Sequence, residues 1–191
     1  MSILQPPGRY TVALKIGDDT FTQPLEVIKD PNSSGTIADI NAQTTMLQDV
    51  QSDMNATAET INQIELLRLQ LEDLQDVVGN RDDAETIVAA ADTLGQELLA
   101  VEEQLTQLRV TGTGQDQIRW PSRVVEQLSY LALSVAVGDF QPTAAEGEVH
   151  AILKDRMQRA NAELSELLRT KVEAFNRMLR ERNVPPLISR R

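Results

Sequence analysis

The segment from Asp83 to Arg109 constrains the chain more than any other. Its apolar positions are Ile87, Ala91, Leu94, Leu98, Val101, Leu105 and Leu108, separated by alternating steps of four and three. That spacing is an unbroken heptad seam along one side of a helix. Glu, Gln, Thr and Asp occupy the other positions. Such a helix gains most of its stability by burying its stripe against other helices, so the chain must contain partners with matching stripes.

Two long segments supply them. From Thr36 the positions Ile37, Ile40, Thr44, Leu47, Val50, Met54, Ile61, Ile64, Leu67, Leu71, Leu74 and Val78 form a stripe that is apolar except at Thr44. The pattern predicts a helix of roughly 43 residues, ~64 Å long at the α-helical rise. Gly79-Asn80 ends it, with Gly79 placed for a left-handed cap. Asp82 or Asp83 can then cap the next helix. The second long stripe runs through Val149, Leu153, Met157, Ala160, Leu164, Leu168, Val172, Phe175 and Leu179. Thr143 with Glu146 fits a capping box at its start, and Pro185-Pro186 stops it. Between them, Trp120-Pro121-Ser122 opens a shorter helix with Val124, Leu128, Leu131 and Val135 as its stripe. Thr111 to Gln117, with Gly112 and Gly114, reads as a loop without regular structure. Leu187 and Ile188 are placed to turn back over apolar surface.

Residues 9–28 follow a different period. Tyr10, Val12, Leu14 and Ile16 alternate with Thr11, Ala13 and Lys15, and Phe21, Leu25 and Val27 share a face of a second strand. Gly17-Asp18-Asp19 turns between them, which makes a β-hairpin. Pro24 lacks a backbone donor and marks the second strand as an edge, or as bulged there. A lone hairpin is marginal in water, so it must pack on the helices, pair with another chain, or be the remnant of a larger sheet. Lys29 to Gly35 is a linker of turn formers.

The expected fold class is mainly α: an antiparallel up-down four-helix bundle with two long and two short helices, preceded by a short N-terminal β-hairpin. Residues 1–30 are the hairpin, 36–183 the bundle and 184–191 a C-terminal tail. Unequal helix lengths make the bundle taper to a two-helix stalk, with the hairpin packed at its base. Composition agrees with helices. Hydrophobic residues are 41% and aromatics only 3%. The net charge of −11 repels nucleic acid and anionic membranes. With no cysteine, thiolate metal sites, disulfides and cysteine nucleophiles are excluded. No segment is apolar enough for a membrane span, and the N-terminus has no signal-peptide pattern. The compartment stays open, and a parent protein exported to the periplasm or beyond is compatible with the lack of cysteine.

The segments PPGRYTVALKIGDDTFTQPLEVIKDPNS, WPSRVVEQLSYLALSVAVGDFQPT and FNRMLRERNVPPL resemble the C-terminal region of large bacterial β-propeller proteins. These are described as sortilin-like (VPS10-type) or BNR-repeat glycosyl-hydrolase-like proteins. The resemblance covers nearly the whole chain, and its motifs are structural. It implies that the hairpin is the last one of a small immunoglobulin-like β domain and that the helices follow it. The chain would be an excised C-terminal piece or a short relative, without the propeller. The family's enzymatic label belongs to the propeller, so no catalytic residue is carried over.

The residues themselves offer no catalytic, cofactor or metal site. His150 is the single histidine, and Gly147 stands where a dimetal Glu-x-x-His motif needs its carboxylate. Asp18-Asp19, Glu72-Asp73 and Glu102-Glu103 are acidic pairs, but helical surface carboxylates do not form the cleft that glycosidase chemistry requires. Asp18-Asp19 reads as turn residues, with a weak calcium site as the sharper alternative. Gly112 and Gly114 lack the lysine of a phosphate-binding loop. A nucleophilic triad would have to use His150. The run RTKVEAFNRMLRERN with Arg190-Arg191 is the one positively biased stretch, suited to the helix dipole or to an acidic partner. Trp120 packs at a helix entrance or anchors a partner. The expected function is therefore a non-enzymatic structural or interaction module without cofactor. Its expected partners are protein: the missing propeller and β domain, or a second copy in a homodimer. The alternatives are an accessory domain of a hydrolase whose catalytic part lies outside this chain, and a small-ligand site within the bundle.

Overall fold

The computed structural model of the chain describes residues 3–79, 81–110, 112 and 116–189. The chain is mainly helical with an N-terminal antiparallel hairpin. Strands β1 (Gly8–Ile16) and β2 (Asp19–Val27) precede helices α1 (Ile37–Val78), α2 (Ala84–Leu105), the single-turn α3 (Asp116–Arg119), α4 (Val124–Val135) and α5 (Ala144–Leu167). A π-helical turn, Leu168–Val172, joins α5 to α6 (Glu173–Glu181). Asn80, Thr111, Thr113 to Gln115 and Arg190-Arg191 lie outside the described residues.

Two compact units are present: Met1–Ser52 with Tyr130–His150, and Asp53–Ser129 with Ala151–Arg191. The first holds the hairpin, the start of α1, the end of α4 and the first turns of α5. Its helical core is Ile40, Leu47, Val50, Leu131, Ala132 and Val135. Helix α1 starts with a capping box that the apolar pattern did not reveal. The Asp39 amide donates to Thr36 Oγ1 at 3.1 Å, and the Thr36 amide donates to the Asp39 carboxylate at 2.8 Å. That backbone donor, followed by the Thr36 hydroxyl, holds the Asp39 carboxyl below its ordinary pKa. Buried Gln43 spends its amide on the end of α4, donating to the carbonyls of Val135 (2.7 Å) and Gly138. The last carbonyls of a helix have no partner within it, and Gln43 serves that of Val135. Gly35 lies so close to the Asp139 carbonyl that a side-chain carbon would overlap it. The capping box expected for α5 is present, with Thr143 N–H to Glu146 at 2.8 Å and Glu146 N–H to Thr143 Oγ1 at 3.2 Å.

The hairpin departs from expectation. It was expected to pack at the base of the helices, yet both strands are exposed along almost their whole length. Tyr10 is held only locally, its hydroxyl donating to the Pro6 carbonyl at 2.6 Å.

In the second unit the α2 seam is buried as the heptads demand. Ile87, Ala91, Leu94, Leu98, Val101 and Leu105 are all under 5% exposed. The helix stops at Leu105, and Leu108 lies beyond it in the open. Asp83 is the N-cap residue but makes no side-chain capping bond. Its carboxylate bonds the Arg81 guanidinium at 2.9 Å instead, which lowers the Asp83 pKa. Helix α4 begins at Val124, after Pro121, and its first turn is capped by the Glu126 carboxylate accepting from the Arg123 amide at 2.7 Å. Asp116–Arg119 is helical where a loop was expected. Val149 and Ile37, expected on apolar stripes, are exposed.

The buried positions of α1 include Gln43, Val50, Thr57, Ile64, Leu71 and Val78, spaced seven apart throughout. Thr57 fills the gap between Met54 and Ile61 in the apolar stripe. It is fully buried, with its hydroxyl donating to the Asp53 carbonyl at 2.7 Å. From α5 into the π turn the spacing Ala160, Leu164, Leu168, Val172 repeats a step of four. Each such step overshoots a regular α-helical turn by about 40°. The wider π turn over Leu168–Val172 absorbs that drift and returns Val172, Phe175 and Leu179 to the buried side.

Helix α6 then ends in a Schellman motif. Asn183 is left-handed (φ 54°), and the Val184 amide reaches the Leu179 carbonyl at 2.9 Å. Beyond it, Leu187 is buried and Ile188 exposed. Asn176 clamps the tail, accepting from the Leu187 amide at 2.7 Å and donating to its carbonyl at 3.2 Å.

Candidate interaction surface

Pairing in the hairpin places Tyr10 opposite Leu25, Val12 opposite Gln23, Leu14 opposite Phe21 and Ile16 opposite Asp19. Directly paired residues share a face. One face therefore carries Tyr10, Val12, Leu14, Ile16, Phe21, Leu25 and Val27, with Gly8, Gln23 and Asp19 among them. The other carries Arg9, Thr11, Ala13, Lys15, Thr20, Thr22, Pro24 and Glu26. The apolar face is uncovered: Val12, Leu14, Ile16, Phe21 and Leu25 are each between 48% and 61% exposed. Two strands of nine residues give a face roughly 30 Å long and 10 Å wide, about 300 Å². Gln23 and Asp19 take part of that area, and the apolar remainder is an exposed patch of the kind that often serves binding.

The turn fixes which backbone groups face outward. Gly17 has φ 61°, and no other residue of the turn has positive φ. This is the pattern of a two-residue type II′ turn. In such a turn Ile16 and Asp19 are a hydrogen-bonded pair, and bonded and non-bonded pairs then alternate along the ladder. Thr11 and Pro24 fall on a non-bonded pair, where the proline costs the hairpin no ladder bond. The missing donor of Pro24 is therefore on the outer edge of β2. The outer edge of β1 keeps the amides of Arg9, Thr11, Ala13 and Lys15.

The other residues considered from sequence do not assemble. His150 is half-buried on α5. Asp18 and Asp19 are exposed at the hairpin turn, and Glu72 and Asp73 are exposed on α1. Glu103 is exposed, but Glu102 is not a surface carboxylate. It is 1% exposed and meets Arg68 of α1 at 2.7 Å. Among the described residues no group of three or more His, Asp or Glu could hold a metal ion. No described helix is long and apolar enough to cross a membrane. Trp120 is half-buried beneath the Arg109 guanidinium, 4.7 Å from its ring centre. The basic run is largely spent within the chain. Arg169 pairs with Glu166, Lys171 with Glu97, Arg180 with Glu173, and Arg182 with Asp83.

A groove of about 400 Å³ lies between α2 and the π turn with α6. Leu94, Phe175 and Met178 line it, and Glu97 and Lys171 face each other there at 3.0 Å. These two charges satisfy one another. The chain, compared with family models, with curated proteins and with solved structures, matches none of them.

Proposed function

We propose that the chain is a non-enzymatic interaction module whose helices form an antiparallel four-helix bundle and whose hairpin is the docking element. The bundle reading rests on the buried heptads of α1 and α2 and on the cross-helix bonds Arg68–Glu102, Gln104–Glu163 and Thr60–Asn161. The docking reading rests on one observation, the exposed apolar face of the hairpin in a chain whose helices bury their apolar stripes. A two-stranded sheet with an uncovered apolar face gains stability only from something laid on it. The resemblance seen in the sequence suggests a β domain of a sortilin-like or BNR-repeat propeller protein as that neighbour. A second copy of the chain would meet the same need.

The test pairs wild type with Leu14→Lys/Phe21→Lys, which charges the centre of the face and leaves the helices untouched. If a second copy is the neighbour, light scattering over a range of concentrations should show mass rising for wild type and constant for the variant. A hydrophobic fluorescent dye should bind wild type more strongly. Turnover of a glycoside panel by the purified chain would overturn the reading, as would identical dye binding in the two proteins, while identical mass would exclude the second copy as the neighbour.

A further inference from the structure

The docking reading above leaves open how a partner engages the hairpin, and three observations decide it. The first is the asymmetry of the edges. An added strand on β2 would meet Pro24 in the middle of the ladder and find no donor there. An added strand on β1 finds outward amides at Arg9, Thr11, Ala13 and Lys15, evenly spaced and unobstructed by proline. The second is charge. Arg9 and Lys15 both stand on the polar face of β1, exposed, with no ion pair or hydrogen bond among the described residues. Lys15 has Thr20 as its cross-strand partner, whereas Arg9 stands opposite Glu26, so Lys15 is the cation to which the hairpin offers no facing carboxylate. The third is area. The apolar face presents at most about 300 Å², well short of the roughly 800 Å² per partner in a stable interface, so face packing alone is weak. Main-chain bonds along an edge add what the face lacks.

We propose that the outer edge of β1 accepts an extended segment of another protein, with apolar residues at one parity and acidic residues at the other. The apolar set continues the face made by Tyr10, Val12, Leu14 and Ile16. The acidic set lies beside Arg9 and Lys15. A second copy fits this edge poorly. Antiparallel pairing of two β1 strands in full register places Arg9 of one copy opposite Lys15 of the other, at both ends of the ladder. Like charges directly opposed destabilise a pair, and each chain also carries a net charge of −11.

The probe is a labelled nine-residue peptide of alternating valine and glutamate, added to the full chain. Its counterpart alternates valine and lysine. The glutamate peptide should bind about tenfold more tightly, and Arg9→Glu/Lys15→Glu should reverse that order. On binding, hydrogen exchange should slow at the amides of Arg9, Thr11, Ala13 and Lys15, and not at Thr20, Thr22 or Glu26. Ala13→Pro removes an outward donor of β1 without breaking the hairpin ladder, and should abolish binding. Thr22→Pro makes the same change on the β2 edge and should leave binding intact. Equal binding of both peptides, or protection on the β2 edge, would overturn the proposal. If Leu14→Lys/Phe21→Lys abolishes peptide binding while Ala13→Pro does not, the face docks partners and the edge does not, so the proposal fails and the broader reading stands.

Discussion

Removing the cation beside Glu102 tests the helical core at its most exacting point. The Glu102 side chain is 1% exposed, and Arg68, which bonds it at 2.7 Å, is 27% exposed. The carboxylate is thus dry while its partner touches water. Arg68→Met keeps the aliphatic stem and removes the charge. Breaking a fully buried pair from one side costs about 3–5 kcal/mol, because an uncompensated charge is left behind. Water reaching the arginine side relieves part of this, so the expected loss is about 2–3 kcal/mol. For a chain of this size that is a fall in melting temperature of roughly 5–10 °C. The assay is urea denaturation followed by helical circular dichroism, with thermal melts beside it. The second arm is Arg68→Met/Glu102→Leu, which removes both charges and leaves an apolar contact between α1 and α2. It should return to within about 1 kcal/mol of wild type, since apolar replacements of buried pairs are near neutral or better. If the double variant is as unstable as the single one, the cost lies in lost packing or lost specificity, and the electrostatic reasoning is wrong.

Three further outcomes follow from the same structure. Gly35→Ala drives a methyl group into the Asp139 carbonyl and should cost on the order of 2–3 kcal/mol in a melt; an unchanged melt would mean the linker is free to move away. Thr57→Val keeps the shape of a fully buried residue whose hydroxyl bonds only the Asp53 carbonyl, so stability should stay within about 1 kcal/mol; a larger loss would refute a purely local role for that hydroxyl. The Glu146 carboxyl is held below its ordinary value of 4.5 by the Thr143 amide first and the Ser134 hydroxyl second. A depressed carboxyl contributes stability above its unfolded pKa and loses it as pH falls through the folded one. Glu146→Gln should therefore flatten the acid limb of stability below about pH 4.5, and coincident acid limbs in variant and wild type would contradict the assignment.

Much of the helical structure was legible because it is written in spacing. The α2 seam, the Gly79 cap at φ 55° and the Thr143–Glu146 box each rest on local chemistry that tertiary contacts do not revise. Helix boundaries were less so. Leu108 continues the heptad arithmetically, yet the helix stops at Leu105, and the Thr106 side chain bonds Glu126 at 3.0 Å instead. Polarity misled at two places. Thr57 and Glu102 occupy buried positions because a hydroxyl can bond its own helix and a carboxylate can meet an arginine across the seam. A reading that equates polar with exposed cannot place either. The π turn did leave a signal, since three successive steps of four from Ala160 to Val172 cannot stay on one side of a regular α-helix.

The hairpin shows where sequence reasoning stops and where it goes further than it first allows. Alternation of apolar and polar residues says which side chains share a face, but not what covers that face. The apolar stripe from Tyr10 to Ile16 would look the same under a helix, in a complete β domain, or open to water. Exposure had to be seen. The edge is a different matter. Once the turn is taken as two residues long, with Gly17 first, the parity of every backbone group in the hairpin follows. Pro24 then has to fall on a non-bonded pair, because a proline on a bonded pair would remove a ladder bond. The same parity that makes Pro24 tolerable inside the hairpin makes it an obstacle outside it. It also leaves β1 as the strand with an intact outer edge. Arg9 and Lys15 lie on that strand at positions whose amides point outward. The residue that blocks one edge thereby determines which charges an incoming strand would meet on the other.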